Sequence, residues 1–164
     1  MQKIIILNGP AGVGKTTIGN LLANTSENSV CISGDELNKF IINKTESVKG
    51  RLGYKNGAAL IDNFAEAGYE LIIFEYVFPS QEHIDYLKSQ LKTKITPNCF
   101  TLWASLEVIV QREANRKNRE RLGDLVKECY SELKMSLVEF ENVIETENLT
   151  KTEVLNIILN ESTR

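Results

Sequence analysis

The sequence near the N-terminus reads Gly9-Pro10-Ala11-Gly12-Val13-Gly14-Lys15-Thr16, directly after the strand-like run Lys3-Ile4-Ile5-Ile6-Leu7-Asn8. Every position of the G-x-x-x-x-G-K-[ST] phosphate loop is filled, and a helix is predicted to begin at Lys15-Thr16-Thr17. The glycines let the loop curl so that several backbone N–H groups point at one polyphosphate, and the positive end of the helix favours the anion. The alternative is a plain glycine-rich turn between strand and helix, but the complete motif favours phosphate binding. We therefore predict that residues 9–17 bind a nucleoside triphosphate.

Two side chains of the loop have predicted roles of their own. The Lys15 ammonium is expected to reach the β- and γ-phosphates of the nucleotide. The Thr16 hydroxyl is expected to hold Mg²⁺, which makes this ion the predicted cofactor.

The composition is that of an ordinary globular protein, with 42% hydrophobic and 25% charged residues among 164 positions. This length suits a single domain, 1–164, with one sizeable core. The net charge of -3 argues against the excess of basic residues that nucleic-acid binding requires. No apolar run approaches the roughly 20 residues that span a bilayer. We expect a cytoplasmic protein without a signal peptide and without nucleic-acid or membrane partners.

The cysteines and the single histidine argue against a structural metal site. Cys31, Cys99 and Cys129 are widely spaced and odd in number, which favours buried, reduced thiols over disulfides. His83 is the only histidine, so a zinc site built on two histidines is excluded.

Apolar runs alternate with segments of helical spacing along the chain. This alternation predicts an α/β fold with a mainly parallel sheet covered by helices on both faces. Ligands of such sheets bind at the carboxyl ends of the strands. The predicted strands comprise residues 3–8, 29–32, 71–74, 100–103 and 143–146.

Two pairs of residues have capping-box spacing at predicted helix starts, Ser33 with Glu36 and Thr150 with Glu153. The helix that begins near Ser33 is expected to carry Leu37, Phe40 and Ile41 on one face. The polar, glycine-containing segment that follows, 43–55, is expected to be an exposed connection.

Two acidic residues follow predicted strands. Asp35 comes three residues after Ile32, where a carboxylate can accept the proton of an attacking substrate hydroxyl. The alternative for Asp35 is a helix-terminal aspartate favoured by the helix dipole. Glu75 ends the apolar run 71–74, where a Walker-B acid holds Mg²⁺ directly or through water. Aspartate is the usual residue there, and a solvated strand-end glutamate is the alternative.

Three arginines, Arg112, Arg116 and Arg119, are spaced so that they share one face of a helix. They repel one another unless an anion lies between them. Nearby glutamates offer partial relief, so a solvated helix of mixed charge is one interpretation. We favour a mobile lid at about residues 110–124, which covers the γ-phosphate and stabilises its charge.

The sequence also offers candidate contacts for the acceptor of a phosphoryl group. Asp35, Arg51 and Tyr76 are the predicted acceptor residues, together with Tyr54. Ordinary surface residues have the same appearance in sequence.

With the phosphate loop, the Ser33-Gly34-Asp35-Glu36-Leu37 stretch and the arginine segment, the chain resembles the small P-loop kinases of metabolites. This group contains shikimate kinase, gluconate kinase and chloramphenicol phosphotransferase, within the nucleoside-kinase-like branch. The resemblance is strongest to chloramphenicol phosphotransferase-like members, whose lid resembles Arg112-Glu113-x-x-Arg116-x-x-Arg119 and whose tail resembles residues 143–150.

The resemblance implies a three-layer P-loop NTPase fold with a five-stranded parallel sheet in the order 2-3-1-4-5. It also implies Asp35 as the catalytic base and Arg116 and Arg119 on phosphates. Arg112 would then lie near the adenine of ATP, with the loop around Asn148 forming part of its pocket.

Two departures from shikimate kinases concern the acceptor. Those kinases carry a second acid where this chain has Ser33, and a glycine-rich turn where it has Glu75-Tyr76-Val77-Phe78-Pro79. Shikimate is therefore disfavoured, and the aromatic residues suggest a less polar acceptor.

We expect an ATP- and Mg²⁺-dependent kinase that phosphorylates a hydroxyl of a small molecule. The alternatives are a kinase of a nucleotide or nucleotide sugar, as in zeta-toxin-like kinases, and a regulatory module that binds ATP without transfer. The intact Lys15 and Thr16 favour a catalytic protein. The sequence does not identify the acceptor or predict an oligomeric state.

Overall fold

The computed structural model describes residues 2–42, 51–115 and 123–162. Arg116 and Arg119 lie outside these ranges, as does the middle of the predicted lid. The elements in chain order are β1 (Lys3–Asn8), α1 (Lys15–Ala23), β2 (Ser29–Ser33), α2 (Gly34–Asn38), α3 (Arg51–Glu66), β3 (Leu71–Glu75), α4 (Gln81–Gln90), β4 (Asn98–Trp103), α5 (Leu106–Ala114), α6 (Leu125–Ser136), a 3-10 turn (Leu137–Glu139), β5 (Val143–Glu145) and α7 (Lys151–Glu161).

The five strands form one parallel sheet in the order β2-β3-β1-β4-β5. This confirms the predicted α/β class and strand order. Successive side chains of β1 point to opposite faces. Ile4 and Ile6 join a core with α3 and α4, whereas Ile5 and Leu7 join a core with α1, α5 and α7. Each such side chain stabilises the fold by about 1.5–3 kcal/mol on full burial, so both faces of the sheet contribute.

Of the two capping boxes predicted from the sequence, the structure contains one. Thr150 and Glu153 form a complete capping box before α7. Ser33 precedes α2 but its side chain makes no capping hydrogen bond, so the capping box predicted with Glu36 is wrong. The Glu36 carboxylate instead accepts a hydrogen bond from Lys39 Nζ at 2.6 Å on the surface.

The helices around the predicted exposed connection also differ from expectation. Helix α2 ends at Asn38, and Phe40 is 82% exposed instead of lining a helical face. Helix α3 begins at Arg51, inside the segment predicted to be a connection. Its Gly57 lies so close to the Phe74 ring that a Cβ atom would come within 2.5 Å of it. Gly53, within the predicted connection, is a buried residue of this helix, and residues 43–50 of that segment lie outside the described ranges.

All three cysteines are free, as predicted. Cys99 is buried, whereas Cys31 and Cys129 are half-buried. No helix in the described ranges is long and apolar enough to cross a membrane.

Candidate active site

The phosphate loop lies between the end of β1 and the start of α1, at the carboxyl edge of the sheet. Gly9, Gly12 and Gly14 have φ angles of 141°, 91° and 116°, a region that side-chain-bearing residues rarely adopt. A Cβ atom on Gly9 would come within 2.4 Å of the Leu102 carbonyl oxygen, and one on Gly12 within 2.9 Å of Ile109. Gly9 and Gly12 are therefore required by both conformation and close contact with β4 and α5, and Gly14 by its conformation alone.

The Lys15 side chain lies over this loop. It is only 5% exposed, and its Nζ donates hydrogen bonds to the carbonyl oxygens of Gly9 at 2.9 Å and Pro10 at 3.2 Å. The ammonium is therefore held at the concave side of a loop whose following helix presents N–H groups without intrahelical partners. A cation and several N–H donors at one point are what a polyphosphate requires.

Glu75, at the end of β3, is hydrogen-bonded to the first turn of α1. Thr16 Oγ1 donates to Glu75 Oε1 at 3.0 Å, and Glu75 is 1% exposed. Burial raises the pKa of the Glu75 carboxyl above its ordinary value, and the nearby Lys15 ammonium opposes this shift. The Ser33 and Thr16 hydroxyls lower the pKa of Glu75 as well, while Asp35 raises it.

The Thr16–Glu75 pair consists of the oxygen ligands that Mg²⁺ prefers. The described ranges contain no group of three or more His, Cys, Asp or Glu side chains that could hold a metal ion. The pair thus fits an ion that takes its remaining ligands from water and phosphate, as Mg²⁺ does in nucleotide sites.

Asp35 lies in the first turn of α2, directly beyond β2, and is exposed. The parallel register pairs Ser33 of β2 with Glu75 of β3, so Asp35 emerges at the same edge as Glu75. Its charge is close enough to raise the pKa of both Glu75 and Tyr76. The structure therefore brings Asp35, Glu75 and the phosphate loop to one edge of the sheet.

Tyr76 follows Glu75 and belongs to a group of packed aromatic rings. Its hydroxyl accepts a hydrogen bond from Asn38 Nδ2 at 2.6 Å, and the residue is only 8% exposed. Burial raises the pKa of the Tyr76 hydroxyl. Tyr54 of α3 meets the Tyr76 ring edge-on at a centroid distance of 5.4 Å and stacks on Phe78 at 5.0 Å. Tyr76 is therefore a wall of this region, fixed from α2 and α3.

Arg51 occupies a different position. It is exposed at the start of α3, and its guanidinium lies 5.5 Å from the centre of the Tyr86 ring of α4. Among the contacts of the described residues, the structure joins Arg51 to Tyr86 and not to Asp35 or Tyr76.

A cavity of about 560 Å³ opens on the other side of the phosphate loop. Arg112 of α5 crosses it, donating to the Val13 carbonyl at 3.3 Å and to the Thr146 hydroxyl and carbonyl at 3.0 and 2.9 Å. The loop, α5 and the end of β5 are thereby connected by one guanidinium. The lining residues are Gly12, Val13, Gly14, Thr17, Ile18, Arg112, Asn115, Thr146, Leu149, Thr150, Lys151 and Val154.

Sequence reasoning missed several residues of this region. Lys151 carries no local signal. Thr146 lies in the 143–150 stretch whose resemblance implied a role for the following loop in the adenine pocket, but its hydrogen bond to Arg112 was not predicted. Asn38 and Phe78 were likewise not singled out as site residues. The strand order was the one signal that could have indicated these residues. It places the carboxyl ends of β1, β3 and β4 side by side, so residues that follow them lie near the phosphate loop.

The fold of this chain, with its phosphate loop, is similar to the folds of several solved kinases and of a resistance protein. Three similar solved structures are the tunicamycin resistance protein of Deinococcus radiodurans, a gluconokinase from Sinorhizobium meliloti 1021 and the shikimate kinase from Acinetobacter baumannii in complex with shikimate. Their TM-scores are 0.74, 0.63 and 0.62, at 19%, 17% and 20% sequence identity. The alignments cover 98%, 99% and 98% of this chain and 95%, 92% and 93% of the respective structures.

No protein-family model matches the sequence, and neither does any curated protein. At such identities the structural likeness shows the fold. It confirms the predicted three-layer P-loop architecture over nearly the whole chain.

Proposed function

We propose that this protein is an ATP- and Mg²⁺-dependent kinase that transfers the γ-phosphoryl group to a hydroxyl of a small molecule. The observation that carries the proposal is the hydrogen bond between Thr16 and Glu75, with Asp35 at the neighbouring strand end. This hydrogen bond connects the phosphate loop to the buried carboxylate of Glu75, and the exposed carboxylate of Asp35 follows the adjacent strand.

The triphosphate would bind along the loop, where backbone N–H groups and the Lys15 ammonium face it. The base would occupy the cavity beyond the loop, between Thr17, Leu149 and Val154. Arg112, held by Thr146, would form a fixed wall next to the base. The size and position of the cavity support this arrangement.

The residues that would hold Mg²⁺ are Thr16, through its hydroxyl, and Glu75, directly or through water. When bound, the ion neutralises charge on the β- and γ-phosphate oxygens. The buried carboxylate of Glu75 orients the Thr16 hydroxyl, since that hydroxyl already donates to it.

Asp35 would act as the general base of transfer. The acceptor oxygen forms a bond to the γ-phosphorus, the bond from phosphorus to the β–γ bridging oxygen breaks, and the acceptor proton passes to the Asp35 carboxylate. ADP leaves with the electron pair of the broken bond. Arg116 and Arg119 would stabilise charge on the transferred group, the role that arginine side chains serve in phosphoryl transfer.

The acceptor would lie between Asp35 and the edge of Tyr76, whose ring is held by Tyr54 and Phe78 packed behind it. These rings favour an acceptor with an apolar or aromatic part beside its hydroxyl. Arg51, at the rim near Tyr86, is proposed to contact such an acceptor only at its outer end.

The test is ADP formation from ATP and Mg²⁺ in the presence of a library of metabolites and antibiotics. An acceptor-dependent rise in ADP is expected, and Lys15→Ala should lower its rate by ~10²–10³-fold. Lys127→Ala, which changes an exposed lysine paired with Asp124 on α6, is the matched control and should behave like the wild type. Tight ATP binding with no turnover toward any acceptor would favour a regulatory module instead.

A further inference from the structure

We propose that Ser33 is a positioning residue which, with Thr16, holds the Glu75 carboxylate in the orientation that a divalent cation requires. This inference rests on the proposed function, because it assigns a role within the same metal site. It concerns a residue that stands where shikimate kinases have an acid.

The hydroxyl of Ser33 is buried at the carboxyl edge of the sheet. Ser33 is the last residue of β2 and is the register partner of Glu75, the last residue of β3. Paired residues of parallel strands direct their side chains to the same face of the sheet. The two side chains therefore emerge next to each other, beside the first turn of α1.

The Ser33 hydroxyl makes no hydrogen bond with the described residues, although its oxygen is shielded from solvent. It does not cap α2, even though Ser33 occupies the capping position. A shielded hydroxyl without a partner is unfavourable, so this one is available for an interaction that forms when the site changes. Its neighbour across the β2–β3 pairing is Glu75.

Glu75 has the capacity to accept this hydrogen bond. A carboxylate has two oxygens with about four acceptor positions in all, and Thr16 uses one of them at Oε1. A rotation of the Ser33 side chain about χ1, or a shift of the Glu75 carboxylate, would add a second donor from β2. Donors from two separate elements fix the plane of the carboxylate, which a single donor leaves free to turn.

A glutamate needs this support more than an aspartate does. Its side chain has one more rotatable bond, and every torsion that must be fixed on binding costs conformational entropy. Groups that orient a metal-binding carboxylate are typically worth ~10–100-fold in metal affinity. Ser33 would thus compensate for the longer acid at the end of β3.

The experiment measures binding of Mn²⁺, as a spectroscopic probe for Mg²⁺, to the protein with a non-hydrolysable ATP analogue. Free Mn²⁺ is followed by electron paramagnetic resonance. Ser33→Ala should weaken Mn²⁺ binding by ~10–100-fold, while binding of the analogue in the presence of EDTA stays unchanged. Ser33→Thr, which keeps a hydroxyl, should restore most of the affinity.

Ser29→Ala is the matched control on the same strand. The Ser29 hydroxyl donates to the Ala23 carbonyl at 2.6 Å, at the opposite end of β2 from Ser33. Loss of this hydrogen bond should lower the melting temperature without weakening Mn²⁺ binding. If Ser33→Ala does not fold, Ser33→Cys provides a side chain of similar size with a much weaker donor and should show the same loss.

Unchanged Mn²⁺ affinity in Ser33→Ala would overturn the role of Ser33 and leave the proposed kinase standing. If Ser33→Ala lowered Mn²⁺ affinity, analogue binding in EDTA and the melting temperature together, Ser33 would have a structural role. That outcome would also overturn the positioning role. A wild-type protein that binds no Mn²⁺ with the analogue would overturn the proposed kinase, and this role with it.

Discussion

The two sides of the site are built from different parts of the chain. On the nucleotide side, backbone groups and positive φ angles at Gly9, Gly12 and Gly14 create the phosphate cradle. On the acceptor side, Tyr54 and Tyr76 pack their side chains against each other and against neighbouring elements. A backbone cradle imposes residue types at fixed spacing, whereas a packed wall permits many sequences. This difference explains why a motif predicts nucleotide binding and no motif predicts the acceptor.

The change expected to have the largest effect is Asp35→Asn, on the acceptor side. It should lower turnover with an identified acceptor by ~10²–10⁴-fold, the usual contribution of a general base. ATP affinity should stay near that of the wild type, because Asp35 is exposed and lies beyond β2. Steady-state kinetics and nucleotide titration measure the two quantities.

Asn caps a helix about as well as Asp, so this substitution separates catalysis from a helix-terminal role. Glu36→Gln, one residue further along α2, is the matched control and should leave turnover nearly unchanged. Near-normal turnover of Asp35→Asn would assign the aspartate to the structure of α2.

The second change, Lys15→Ala, acts on the nucleotide side. Loss of one charged donor toward the phosphates should lower turnover by ~10²–10³-fold and, unlike Asp35→Asn, should also weaken nucleotide binding. The measurements are nucleotide titration and turnover, with circular dichroism to check the fold. If both variants affected the two quantities alike, the division between the sides would fail.

The third change concerns Asn8, which joins the two sides. This side chain is 1% exposed, accepts a hydrogen bond from the Phe78 backbone N–H at 2.8 Å and donates to Thr101 Oγ1 at 3.3 Å. Asn8→Ala should lower the free energy of unfolding by about 1–3 kcal/mol, because a buried N–H loses its partner. Urea unfolding is the measurement.

Thr101→Val provides the comparison, since it removes the longer of the two hydrogen bonds and keeps the side-chain volume. It should destabilise the protein less than Asn8→Ala. A larger effect at Thr101 would mean that β4, and not the loop after β3, depends on Asn8.

The sequence predicts the nucleotide side better than the acceptor side for physical reasons. The loop glycines and the alternation of strands and helices are local signals, and they identified the cradle and the parallel sheet. The Asn38–Tyr76 and Arg112–Thr146 contacts join residues far apart in sequence, so no local pattern announces them. Gly53 was misinterpreted because a glycine that lets a helix pack closely against Asn38 and Tyr76 looks the same in sequence as one in a loop.

The strand order came from resemblance to known kinases, not from the residues themselves. The predicted capping box at Ser33 failed because matching spacing does not decide between alternative partners. Glu36 pairs with Lys39 at the surface, and the Ser33 hydroxyl lies beside Glu75. The first pairing is set by i,i+3 spacing at the end of α2, and the second by the register of β2 and β3.

The smallest expected effect concerns the Cys31 thiol, behind the phosphate loop. Burial raises the pKa of this thiol from 9.0 to about 12, and the Glu75 charge adds to the shift. The folded state therefore favours the neutral thiol, so its contribution to stability is fully present below pH 9.0 and is lost as the pH rises towards about 12.

Since the thiolate is the reactive form, iodoacetamide at pH 8 should modify Cys31 much more slowly in the folded protein than in urea. Mass spectrometry of the modified peptides gives the rate at each cysteine. The Cys31 sulfur would lie within 2.8 Å of a Cβ atom on Gly19, so packing against α1 excludes the reagent as well. An ATP analogue that binds the loop at the start of α1 should slow Cys31 further and leave Cys99, on β4, unchanged. Equal slowing at both thiols would indicate that the nucleotide stabilises the whole fold. An unchanged rate at both would mean that nucleotide binding at the loop does not alter the packing of α1 against Cys31.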